Sequence, residues 1–194
     1  MFFTAYMKFL LLFVFCCLSA FSSHATQFEG HVIKLKNKLY FSDGKDPRKY
    51  VLSGSTPLLT IYINKLDDGD FVSIEAAKTS GNDTLVVQSI NYVGLQEIIG
   101  TWITSDMQDC YIFTSYTEFH IASRINGRCV SDGDEVYNYF VNPSTKQWIV
   151  LIAGQNDSYV GDIELSYLNR IEIKLYNSED GTILRQLSLR KIAQ

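Results

Sequence analysis

From Gln27 onward the chain is built of short β-branched and aromatic runs, broken every few residues by Gly, Asn or Asp. Almost nowhere do apolar residues recur at helical spacing. That pattern restricts the chain to an all-β fold, because alternating apolar residues place one face of each strand in a core and the other in solvent. Six candidate strands fall before residue 95: Phe28–Leu35, Lys38–Phe41, Lys49–Leu52, Leu59–Ile63, Phe71–Ala77 and Leu85–Tyr92. Eight more follow: Gly100–Ser105, Cys110–Thr114, Glu118–Arg124, Val136–Val141, Trp148–Ala153, Tyr159–Leu168, Arg170–Tyr176 and Thr182–Arg190. Gly94 to Ile99 reads as one helical turn and a junction. Pro47, Pro57 and Pro143 are expected in loops. The expected organisation is two small antiparallel barrels, residues 26–95 and 96–194, since ring closure removes exposed sheet edges.

Residues 1–25 have a different composition. Lys8 precedes the apolar run Phe9 to Leu18, and small or polar residues then lead to Ser23-His24-Ala25. Charge, apolar core and a small-x-small end form the pattern of a secretory signal peptide, with cleavage expected after Ala25. The apolar run is short for a spanning helix, which needs roughly 20 residues, so no transmembrane segment is expected after cleavage. A periplasmic or secreted location follows. Losing Lys8 moves the formal net charge from −4 to −5. So acidic a chain is a poor partner for nucleic acid, whose phosphates demand a basic surface.

Of four cysteines, Cys16 and Cys17 leave with the leader. Cys110 and Cys129 remain, an even pair in an exported chain, and read as one disulfide. Closing a loop of that size stabilises by roughly 3 kcal/mol in the chain-entropy account. Two isolated cysteines without a CxxC cannot complete a zinc shell. Asp67-Asp68-Gly69-Asp70 and Asp132-Gly133-Asp134-Glu135 lack the spacing of a calcium loop and read as turns. No metal and no cofactor are expected.

The order Phe28-Glu29-Gly30-His31-Val32, Leu58-Leu59, Leu66-Asp67-Asp68-Gly69-Asp70-Phe71-Val72-Ser73-Ile74 and Leu85-Val86-Val87 resembles exported bacterial OB-fold domains. The resemblance implies a binding or scaffold barrel. Gly100-Thr101-Trp102 resembles the opening of lipocalin-like barrels. It implies that Trp102 closes one end and that an arginine of the last strand, Arg185 or Arg190, packs over it.

Lys34, Lys36 and Lys38 alternate with apolar residues and share one strand face, either a local basic groove or a solvated edge. Glu118 and His120 share another face, the one pairing suited to proton transfer. No Gly-x-Ser-x-Gly elbow, HExxH or phosphate-binding Gly-rich loop is present, and no catalytic residue is assigned. The aromatic residues of the second region offer the working surface. Tyr111, Tyr116, Tyr137, Tyr139, Trp148 and Tyr159 are the candidate binding residues, since aromatic side chains with polar tips serve interfaces as well as cores. The leading expectation is a non-enzymatic binding protein of the bacterial envelope that recognises a protein or envelope component through those aromatics. The alternative is a carrier or sensor of a small apolar ligand held in the second barrel. The two differ observably: a carrier needs an apolar internal cavity above roughly 300 Å³, and an interaction module needs a filled barrel with an exposed aromatic patch.

Overall fold

Alternating apolar residues become strands almost throughout the computed structural model, which describes residues 25–192 apart from 37, 80, 82, 131–135, 167, 168 and 178. The expected signal peptide lies outside the described residues, save Ala25. Among the described residues no helix is long and apolar enough to cross a membrane. The fold is all-β, with one short helix and one 3-10 turn among the described residues.

Five strands come first: β1 (Thr26–Leu35), β2 (Lys38–Ser42), β3 (Tyr50–Gly54), β4 (Phe71–Lys78) and β5 (Thr84–Gly94). Their pairings run β1–β2–β3–β5–β4–β1, antiparallel except for β3 against β5. β1 belongs to two neighbours at once, pairing through its first half with β4 and through its second with β2. Gly30 stands at the changeover. A Cβ there would lie 2.2 Å from the Ser42 carbonyl oxygen, so only glycine allows the approach.

Helix α1 (Pro57–Ile63) connects β3 to β4 and replaces the strand expected at Leu59–Ile63. The local chemistry accounts for the difference. The Thr56 hydroxyl accepts a hydrogen bond from the Leu59 amide, and Pro57 occupies the first helical turn, where its missing N–H costs nothing. Pro57 therefore starts a helix, and Pro143 ends a strand; neither lies in a loop as expected. The lysine alternation is also interrupted. Lys34 lies in β1, Lys38 in β2, and Lys36 in the turn between them with φ 48°. Lys34 is further engaged by Asp67 at 2.9 Å.

After the 3-10 turn Gln96–Ile98 come β6 (Gly100–Thr104), β7 (Asp109–Phe113), β8 (Glu118–Ile125), β9 (Arg128–Val130), β10 (Val136–Pro143), β11 (Trp148–Ala153), β12 (Ser158–Ser166), β13 (Arg170–Tyr176) and β14 (Ile183–Lys191). Eight of them close an antiparallel barrel in the order β6–β7–β8–β10–β11–β12–β13–β14, with β14 returning to β6. The seam is narrow: β8 meets β10 only over Glu118–His120. Beyond the seam β8 stays paired with β7 as far as Ser123, and its end pairs with β9, a strand the sequence reading does not contain. Cys110 and Cys129 form the disulfide, tying β7 to β9.

The five-strand ring and the barrel share one hydrogen-bonded sheet and one apolar core. They join where β5 meets β10 at Val93 and Val141. Trp102 sits at that end of the barrel, 0 % exposed, its indole N–H donating to the Ile98 carbonyl at 2.7 Å. The cation above its ring is neither Arg185 nor Arg190. It is Lys191, with Nζ 5.2 Å from the ring centroid. Register decides this: Lys191 pairs with Trp102 across β14 and β6, Arg190 pairs with Ile103 and faces out, and Arg185 lies six residues earlier along β14, opposite Leu175.

Candidate functional site

Inside a barrel every second residue of each strand points inward. On β10 those residues are Tyr137, Tyr139 and Val141; on β7, Tyr111 and Phe113; on β8, Phe119 and Ile121. These aromatics pack on one another. Phe113 and Phe119 stack at 5.0 Å, Phe119 and Tyr137 at 5.1 Å, and Phe113 meets Tyr139 edge-on at 5.3 Å. They crowd one side of the interior and leave the other side open.

The open space is a cavity of about 390 Å³. The aromatic cluster with Ile121 forms one wall. Ile152 and Tyr159 from β11 and β12, Ile173 and Leu175 from β13, and Leu184, Arg185 and Leu187 from β14 form the other. Leu184 is 56 % exposed and the Arg185 side chain 53 % exposed, which places the mouth at this end of β14. The opposite end of the barrel is filled by Trp102.

Four of the six residues expected from sequence, Tyr111, Tyr137, Tyr139 and Tyr159, line this cavity. Trp148 does not. It is buried at the other end, beneath Lys65, whose ammonium lies 5.6 Å from its ring and donates to the Ser144 and Gln147 carbonyls. Tyr116 belongs to the junction, where its ring lies beside Phe71 and His31. The exposed apolar surface of the outer wall comprises other residues. Phe140, Leu151 and Val160 form a cross-strand row over β10, β11 and β12. Glu118 and His120 also face outward, 3.3 Å apart.

The polar groups at the cavity are few. The Tyr139 hydroxyl donates to the Ser115 carbonyl at 2.9 Å. The Tyr111 hydroxyl is fully buried and makes no hydrogen bond. Burial pushes the Tyr111 phenol above its ordinary pKa, while nearby Arg185 draws it back. Arg185 faces Asp109 at 3.8 Å, an ion pair too long to contain a hydrogen bond. The lipocalin-like resemblance offered Arg185 or Arg190 to the tryptophan. The signal that places Arg185 in the cavity is alternation along β14, which puts it with Leu187 and Leu189 on one face.

The second polar focus is the junction. Asp70 is 3 % exposed, and its two carboxylate oxygens accept from the Gln96 amide at 2.9 Å and the Asp67 amide at 2.8 Å. The Tyr116 hydroxyl donates to the Gly69 carbonyl and to Gln96 Oε1. The acidic run Asp67 to Asp70 is thus a turn with its carboxylates occupied by backbone amides and Lys34. Among the described residues no three His, Cys, Asp or Glu side chains are grouped to hold a metal; the second acidic run, 132–135, lies outside them.

Burial raises the Asp70 pKa to about 6, against the opposing pull of its two amide donors. The unfolded group titrates near 3.8. Between these values the folded chain holds a proton that the unfolded chain has released, so this group's contribution to stability is complete below pH 3.8 and is lost as the pH rises through 6. A fall of about 2 kcal/mol between pH 4 and 6 is the expected size. It is measured as the difference in urea unfolding free energy between wild type and Asp70→Asn across that range. A difference independent of pH would show that folding leaves the Asp70 pKa unshifted.

No protein-family model matches the chain, and comparison with curated proteins and with solved structures gives no significant match.

Proposed function

We propose that this protein is an exported, non-enzymatic carrier or sensor that holds a small apolar ligand in its eight-stranded barrel. The observation that carries the reading is the cavity: about 390 Å³, walled by aromatic and aliphatic side chains and open at one end. Ligand sites commonly measure about 300–1,000 Å³ and combine apolar walls with a few placed polar groups. The aromatic residues that would serve an interaction surface instead point inward, with Tyr139 0 % and Tyr111 3 % exposed.

The rest of the proposal concerns architecture and location. Residues 26–95 would form an OB-type barrel. The pairing ring β1–β2–β3–β5–β4 and a helix between β3 and β4 support it. Residues 96–194 would form a lipocalin-like barrel, supported by Gly100-Thr101-Trp102 on its first strand and by a basic residue of its last strand over that tryptophan. Residues 1–25 would direct export, and the Cys110–Cys129 disulfide suits an oxidising compartment.

The test is titration with the neutral fluorophore N-phenyl-1-naphthylamine. Wild type is expected to bind it saturably, with a blue-shifted emission. Ile152→Trp, which fills the cavity from β11, is expected to weaken binding at least tenfold with the unfolding midpoint retained. No saturable binding, or equal binding by the filled variant, would overturn the cavity as the site and turn attention to protein partners.

A further inference from the structure

The cavity lining includes one donor without an acceptor and one cation without a hydrogen-bonded carboxylate. Tyr111 lines the cavity and is 3 % exposed, and its buried hydroxyl has no acceptor. A buried phenol ordinarily finds a partner, as Tyr139 does in the same cavity through the Ser115 carbonyl. Arg185 lines the same space. Its guanidinium presents five N–H donors, and its only ion pair among the described residues is the 3.8 Å approach to Asp109. Asp109 and Tyr111 are two residues apart on β7, so they share a strand face and Tyr111 lies one pleat further along it.

Resting on the cavity reading above, we propose that the ligand is an apolar chain ending in a carboxylate, with one oxygen accepting from the Tyr111 hydroxyl and the other from the Arg185 guanidinium. A carboxylate is an acceptor-only group with two oxygens, which matches one hydroxyl without an acceptor and one guanidinium held only by a 3.8 Å ion pair. The remaining wall, Phe113, Ile152, Ile173, Leu175 and Leu187, takes the hydrocarbon. Asp106 and Asp109 also act electrostatically on Tyr111. Arg185 is therefore the one cavity-lining group that favours an anion at this end, and the one on which selectivity depends.

The experiment compares two ten-carbon probes, decanoate and decan-1-ol, displacing N-phenyl-1-naphthylamine from the full chain at pH 8. Wild type is expected to bind decanoate at least tenfold more tightly than the alcohol. Tyr111→Phe and Arg185→Gln should each weaken decanoate about tenfold and leave the alcohol within twofold. The unfolding midpoint of Tyr111→Phe should hold or rise, because the variant removes a hydroxyl that has no partner in the unliganded chain. If both probes bind equally well, or if the variants weaken both alike, the carboxylate assignment is overturned and the apolar cavity stands. If neither the probes nor the fluorophore binds, the cavity reading fails first and takes the assignment with it.

Discussion

Trp102→Ala is expected to lower the unfolding free energy by about 3–5 kcal/mol, the usual cost of truncating a fully buried tryptophan. Three losses coincide at this position. The side chain is 0 % exposed, so its whole surface returns as void. The Ile98 carbonyl loses the indole N–H, its donor at 2.7 Å. Lys191 loses the ring beneath its ammonium. Trp102→Phe separates these terms, because it keeps much of the volume and removes only the hydrogen bond; it should cost about 1–3 kcal/mol through the unsatisfied carbonyl. The measurement is the urea midpoint followed by far-ultraviolet circular dichroism, so that the lost indole does not bias the signal. A Trp102→Ala midpoint within error of wild type would show that this end of the barrel closes without the tryptophan.

Gly30→Ala is expected to cost about 3 kcal/mol, at the upper end of what forced overpacking removes. The added methyl would meet the Ser42 carbonyl at 2.2 Å and the Asp43 Cα at 2.9 Å. Both are backbone atoms of the neighbouring segment, and neither can rotate away as a side chain would. Relief requires β1 and β2 to separate at the point where β1 passes from one partner to the other. At Gly94 the atoms facing a new Cβ belong to the Tyr116 side chain, so a methyl there can be met in part by side-chain movement. Gly30→Ala should therefore be the more damaging of the two alanine variants in thermal denaturation. The reverse order would mean that β2 yields more readily than the junction.

The strands were legible because alternation is a local property. Trp148–Ala153 and Arg170–Tyr176 coincide with their observed bounds, and the turn at Gln96–Ile98 falls inside the expected junction. Helix α1 was missed because seven residues, Pro57-Leu-Leu-Thr-Ile-Tyr-Ile63, carry no clear helical period. Only the Thr56-Pro57 start announces it. β9 was missed because three residues after the Asn126-Gly127 turn are too few to show a pattern. At the site, alternation does place Tyr137 with Tyr139. It cannot say whether the barrel interior is full. That depends on how eight strands close, with β8 exchanging β10 for β9 as its second neighbour after a short seam, and closure is a property of the whole ring. The resemblance offered Arg185 or Arg190 for the tryptophan; Arg190 fails by parity, and Arg185, on the same face as Lys191, fails by position, since it lies six residues earlier along β14 and pairs with Leu175.

A sheet that closes on itself has little left to offer other sheets. Among the described strands β9 alone has a single neighbour, and its free side is the backbone of Arg128, Cys129 and Val130. Three residues are short purchase for a foreign strand, Arg128 sets a charge beside them, and the bond from Cys129 to Cys110 keeps them fastened to the wall. The described residues thus carry fourteen strands with almost no template for edge-to-edge growth, and their protection against fibrous assembly is concentrated at one covalent tether.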